Sequence, residues 1–146
     1  MAAHFERTQR LAIDNGIADY ITGHRTGVFA TSRKSGAAQL TLIAYHFDGE
    51  TFAISTRAPT QKAKNLRQRP EASMAIIDGQ RQLVIYGSVA IVDDEAQVLK
   101  LHRERIKRIA LRDESDDDLR ARLKREERVV LVLTPDRFYP ASMPTA

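Results

Sequence analysis

Two Asp-Gly pairs, Asp48-Gly49 and Asp78-Gly79, narrow most sharply what this chain can become. Each sits between runs in which apolar and polar residues alternate. Asp-Gly supplies the positive backbone torsions of a tight hairpin turn, so each pair predicts two antiparallel neighbours. Around the first pair, Ala37 to Phe47 and Thr51 to Thr56 read as strands; around the second, Ala72 to Ile77 and Gln82 to Val92. Thr26 to Ser32 is a further strand, joined to the Ala37 run by the turn Arg33-Lys34-Ser35-Gly36. Thr26 to Thr56 therefore reads as a meander of three strands. Gly87, inside the Gln82 run, marks a bulge or bend in a curved sheet.

Helices fill the connections. Phe5 to Thr22 reads as one or two short helices stopped at Gly23, and Gln61 to Arg69 as a helix ended by Pro70. Asp93-Asp94 caps a helix from Glu95 to about Leu111, with Val98, Leu101, His102, Arg105, Ile106 and Ile109 near a 3-4 spacing. Asp116 to Glu126 is a shorter helix. Arg128 to Thr134 is a central strand, Pro135-Asp136 a turn, and Arg137 to Tyr139 a last short strand; from Pro140 the tail reads as loose. The expectation is an α+β chain, mainly β: six or seven antiparallel strands in one split-barrel domain spanning residues 1–146, with the N-terminal helix at about 5–23 and the barrel at about 26–139.

Composition narrows the chemistry. Cysteine is absent, which removes disulfides, thiolate catalysis and cysteine metal sites together. The histidines His4, His24, His46 and His102 show no metal-ligand spacing, and no GxSxG elbow surrounds a serine. No apolar run is long enough to span a membrane, and the N-terminus lacks the apolar core of a signal peptide, so a cytoplasmic protein is expected. Basic residues exceed acidic ones by 23 to 19, a mild excess without interleaved aromatics; it suits a small anionic ligand as well as nucleic acid. The densest basic stretch, His102 to Arg112, reads as a solvated helix face. With no reactive apparatus of its own, an enzyme of this sequence needs a cofactor.

Thr51 to Pro70, TFAISTRAPTQKAKNLRQRP, offers a place for one. A strand, a turn at Ala58-Pro59 and a helix start bring together Ser55, Thr56, Thr60 and Lys62. Hydroxyls, free backbone N–H groups, the positive end of a helix and an ammonium group suit a phosphate. The same residues also suit a helix that packs on a sheet with Lys62 in solvent, and local chemistry does not choose between the two.

The order of signals carries further. TSRKSG, FAIST, KAKNLRQRPEASMAI and ERVVLVLTPDRFY follow one another along the chain. This series resembles the pyridoxamine 5′-phosphate oxidase-like split-barrel family over about Gly23 to Tyr139. It is most similar to the deazaflavin-dependent oxidoreductase branch that uses coenzyme F420, above all at Ile54, Ser55, Thr56, Lys62, Asn65, Leu66, Arg69 and Pro70. The resemblance implies that Lys62 holds the cofactor phosphate with Ser55, Thr56, Thr60 and Asn65 nearby. It implies that Gln39, Leu40, Thr41 and Leu42 run along the flavin-like ring. It implies a homodimer with the cofactor at the subunit interface, the partner reaching in with residues such as Arg81, Arg137, Phe138 and Tyr139. The apolar faces of Val129 to Leu133 and of Val98, Leu101, Ile106 and Ile109 are candidates for the dimer contact. Two positions depart from the pattern. Thr60 stands where the family often has a basic residue, with Arg57 and Lys64 as candidate substitutes, and Leu42 stands where proline is common. The implied activity is hydride transfer between F420 and a small organic acceptor, with Tyr45 or Tyr86 as candidate proton donors. FMN in the same fold is the alternative cofactor, and a non-catalytic carrier of haem, lipid or another small anion is a third reading.

Overall fold

The computed structural model describes residues 11–106 and 113–145. Its elements are α1 (Asn15–Thr22), β1 (Thr26–Ser32), β2 (Ala38–Ala44), β3 (His46–Phe47), β4 (Phe52–Arg57), α2 (Gln61–Gln68), β5 (Glu71–Asp78), β6 (Arg81–Val92), α3 (Glu95–Glu104), α4 (Asp116–Arg125) and β7 (Arg128–Tyr139). Every strand pairing is antiparallel, and the order across the sheet is β2-β1-β5-β6-β7-β4-β3.

That order closes the sheet on itself. β2 and β3 lie at opposite ends of the sheet, yet only Tyr45 separates them in the chain. A one-residue link keeps Ala44 and His46 within about 7 Å of each other, so the two ends must meet. The result is a split barrel: a curled sheet whose last seam is crossed by the chain rather than by a ladder. The expected three-strand meander is thereby corrected. Ala37 to Phe47 is not one strand but two, bent at Tyr45, whose N–H donates to the Arg25 carbonyl across 3.0 Å and whose hydroxyl donates to the Ile21 carbonyl across 2.7 Å. Alternation continues through the corner, so period alone does not reveal it.

Both Asp-Gly pairs form the expected hairpins, with Gly49 at φ 97 and Gly79 at φ 58. The predicted irregularity at Gly87 is present: the β6–β7 register shifts between Tyr86 and Gly87. A Cβ at Gly87 would lie 2.2 Å from the Thr134 carbonyl oxygen, so the strands approach there as only glycine permits. Across from it, Pro135-Asp136 is not a turn. β7 runs unbroken from Arg128 to Tyr139 and absorbs the extra residue as a bulge.

The barrel interior is apolar, built from Phe29, Phe52, Ile54, Met74, Ile85, Leu131 and Leu133, with α1 plugging one end through Ile17 and Ile21. A second cluster lies on the far side of β4 and β7, where Val98 of α3 and Leu119 and Leu123 of α4 cover Ala53 and Val130. The dimer face read from the sequence is therefore corrected: Val129 to Leu133 and Val98 pack within the chain. α3 ends at Glu104, and Ile109 and the rest of that predicted helix from 107 to 111 lie outside the described residues. So does the start of the predicted N-terminal helix; α1 begins at Asn15, capped by Asp14. The tail is not loose at Met143, whose N–H donates to the Asp14 carboxylate and whose backbone lies against Gly16. No described helix is long and apolar enough to cross a membrane.

Candidate functional site

A groove of about 850 Å³ opens at the seam of the barrel. On one side Leu42 to Phe47 line it, from the corner between β2 and β3. On the other stand Ser55, Thr56 and Arg57 at the end of β4, Thr60 and Lys62 at the start of α2, and Arg128 at the start of β7. The seam makes the groove: where two strands fail to pair, side chains from both edges face a shared gap.

The cationic end is built by register and a helix start. β4 pairs with β7 so that Arg57 faces Arg128. α2 begins just after β4, which brings Lys62 to the same place. Burial, and then Arg128, push the Lys62 ammonium below its usual pKa, the signature of a cation held short of water beside another cation. No carboxylate of the described residues pairs with it. Thr60 holds the cap position of α2 but donates its hydroxyl to the Arg57 carbonyl across 2.9 Å, so its side chain does not cap the first-turn N–H groups. Thr56 is 2% exposed, its hydroxyl 3.4 Å from that of Thr60.

Of the residues singled out in the sequence, Leu42, Ser55, Thr56, Thr60 and Lys62 come together along the groove. Gln39, Leu40 and Thr41 do not line it: Gln39 accepts from Arg33 near the β1–β2 turn, and Leu40 is exposed on the outer face. Asn65 is buried elsewhere, donating to the Thr31 hydroxyl across 3.0 Å and accepting from Gln61, and so ties α2 to β1. Arg57 lines the groove, whereas Lys64 does not. Tyr45 lines it too, but its hydroxyl is committed to Ile21 and burial raises its pKa, which makes it a weak acid. Tyr86 is away from the groove, beneath the Arg137 guanidinium at 4.4 Å. Phe138 is buried in the barrel core and cannot reach a partner subunit, while Tyr139 is exposed.

Two residues escaped the sequence reading. Arg128 reaches the site only through the β4–β7 register. His102, read as part of a solvated face, is buried instead: it is 1% exposed, 2.9 Å from Ser55 Oγ through Nε2 and 2.7 Å from the Val98 carbonyl through Nδ1. Its spacing of four from Val98 was the available signal, because that places both on the stripe of α3 turned to the sheet.

The site is thus a seam groove on a split barrel, with a cationic, hydroxyl-bearing end and an apolar wall. The pyridoxamine 5′-phosphate oxidase family model matches residues 13–141. This chain belongs to that family. Among solved structures, a conserved hypothetical protein from Mycobacterium tuberculosis is similar at 25% identity and TM-score 0.70, over 90% of this chain and 86% of the other. An F420 reductase is similar at 28% identity and TM-score 0.58, over 78% of this chain and 88% of the other. A pyridoxamine 5′-phosphate oxidase-related, FMN-binding protein from Nostoc punctiforme shares the fold at 15% identity and TM-score 0.57, over 84% of this chain and 78% of the other.

Proposed function

We propose that this chain is an oxidoreductase that holds the deazaflavin coenzyme F420 in the seam groove and passes a hydride between it and a small organic acceptor. One observation carries the reading. A single groove joins a cluster of Lys62, Arg57, Arg128, Ser55, Thr56 and Thr60 to a wall of Leu42, Ile43, Ala44, Tyr45 and Phe47. The first end suits a phosphate; the second suits a flat ring system. The residues fit such a group: three cations and the first turn of α2 surround one end, with the hydroxyls of Ser55, Thr56 and Thr60 beside them. When bound, the deazaflavin would supply the hydride chemistry that no side chain here provides.

The chain's own part is binding and orientation. Lys62 and its cationic neighbours would anchor the anionic tail, and the apolar wall would keep water from the ring. β2 ends the sheet, so the backbone of Leu42 to Ala44 has an edge unpaired within the sheet from which to bond a polar rim. The preference for F420 over FMN rests on the greater identity of the F420 reductase.

A second copy of the chain is the partner we assign to the outer face of the sheet. Strand pairing lines up Leu42, Val28, Ala75, Val84 and Tyr139 in one apolar row across β2, β1, β5, β6 and β7. Leu42 is 72% and Tyr139 62% exposed. Leu42 belongs to both row and groove, which would set the cofactor at the subunit interface.

The test of activity is spectroscopic. Purified protein is mixed with reduced F420 and a panel of quinone, tetrapyrrole and nitroaromatic acceptors, and the return of oxidised-cofactor absorbance is followed; FMN is run in parallel. Protein-dependent oxidation of F420 by at least one acceptor is expected. Binding of FMN alone, or of neither cofactor, would overturn the reading.

A further inference from the structure

Nothing described so far uses His102, although only Ser55 separates it from the groove. The Val98 carbonyl can only accept, so His102 Nδ1 carries a hydrogen and donates to it across 2.7 Å. Burial is the largest influence and disfavours the imidazolium; the bond to the Val98 carbonyl, next in size, opposes it, Arg128 and Arg122 disfavour it further, and Glu126 opposes least; the ring's pKa is lowered and it rests neutral. A neutral ring with its hydrogen on Nδ1 has a bare Nε2. That atom accepts from the Ser55 hydroxyl across 2.9 Å. The one hydrogen of Ser55 is therefore aimed away from the groove. In this state Ser55 shows the groove only lone pairs, and those repel an anion.

We propose that His102 is a positioning residue for the anionic end of the groove: an anion seated beside Ser55 and Lys62 is bound together with one proton, which His102 Nε2 takes up from solvent so that the Ser55 hydroxyl turns to donate into the groove. The inference rests on reading that end as a phosphate site. The balance involves protons alone. Nε2 gains H⁺ and becomes the donor to Ser55 Oγ, the Ser55 O–H is released to the anion, and the Nδ1–H bond to Val98 survives, because both ring nitrogens of an imidazolium are donors.

The surroundings give the coupling its sign. Arg57 on β4, Lys62 on α2, Arg128 on β7, Arg105 after α3, and His24, Arg25 and His46 line the groove, and Arg122 on α4 also acts on the ring. Acidic counterweights stand beside them: Glu126 pairs with Arg128 at 3.0 Å, Asp48 with Arg105 at 3.0 Å, Glu114 with Arg122 at 2.8 Å and Glu127 with Arg57 at 4.0 Å, and Glu104 on α3 lines the groove. In the free chain Arg128 and Arg122 add to burial in opposing a charge on His102, with Glu126 offsetting part of their effect. An anion among the same cations offsets them and favours the imidazolium. Binding is then tightest below the free-state pKa of His102 and weakens as pH rises through the bound-state value. Each unit between the two values is about tenfold in affinity.

The test is nitrogen-detected NMR of the imidazole together with binding measurements across pH. Sulfate is the first probe, because it does not titrate near neutrality; F420 and FMN follow. The expected results are an Nδ1–H tautomer in the free protein, a His102 pKa raised by about one unit or more at saturation, and a flattened pH profile of affinity in His102→Gln. Because the imidazole signal is read on the unaltered protein, a poorly folding variant would not void the test. Saturable, Lys62-dependent binding with the His102 pKa unmoved would overturn the coupling and leave the groove reading intact. Absence of any such binding, to sulfate or either cofactor, would overturn both.

Discussion

β4 and the first half of β7, from Arg128 to Leu133, are covered on both faces, and the two faces differ in kind. Phe52 and Ile54 point into the barrel opposite Leu133 and Leu131, in a wholly apolar interior. Ala53 and Ser55, one residue along in each case, face the layer under α3 and α4 and the groove; there the packing includes a buried imidazole hydrogen-bonded to a serine. The first face holds the sheet together. The second trades some apolar contact for a polar pair poised at a cationic site. In a small barrel the strand carrying the core can also carry the site, because successive side chains leave on opposite sides.

Substitutions on the two faces should separate these roles. Phe52→Ala, on the barrel side, should cost about 3–5 kcal/mol of stability by cavity formation, read from denaturant midpoints; a cost below 1 kcal/mol would place the core elsewhere. Gly87→Ala should cost about 1–3 kcal/mol or more, since its Cβ must displace the Thr134 carbonyl from the bulge. Arg128→Gln, on the groove side, should leave the denaturant midpoint near that of the parent and weaken sulfate binding by about 1 kcal/mol, the scale of one partly solvated charge contact.

The smallest effect is on pH. His102 has a folded pKa below its unfolded value, so the unfolded chain binds the extra proton between them. Stability of the ligand-free protein should therefore fall as pH drops from about 6.5 through the folded value. His102→Gln should flatten that part of the curve. Lys62 follows the same sign near the alkaline end: its charged form is disfavoured in the fold, so Lys62→Met should slightly stabilise the ligand-free chain while impairing the groove.

Turn chemistry made most of the fold legible. Asp48-Gly49, Asp78-Gly79 and Gly87 each announce a local backbone geometry, and local geometry is written in adjacent residues. The corner at Tyr45 is not local: whether the chain continues or bends there depends on Arg25 and Ile21, which hold Tyr45 from β1's approach and α1. The same limit governs the site. Ser55, Thr56, Thr60 and Lys62 fall within eight positions and show themselves as a cluster. His102 lies 47 positions from Ser55, and Arg128 arrives by strand register, so neither advertises its neighbour in sequence. Docking of the tail through Met143 onto Asp14, 129 positions away, was hidden for the same reason.

The central claim is that the seam groove holds an anionic cofactor by its charged tail at Lys62. Equilibrium titration of the wild-type protein and Lys62→Ala with F420, and with FMN beside it, addresses that claim most directly. The account predicts saturable F420 binding that weakens by about 1.5–3 kcal/mol in the variant, the range of a charge-assisted hydrogen bond. Equal affinity of the two proteins for F420, with both folded, would contradict it.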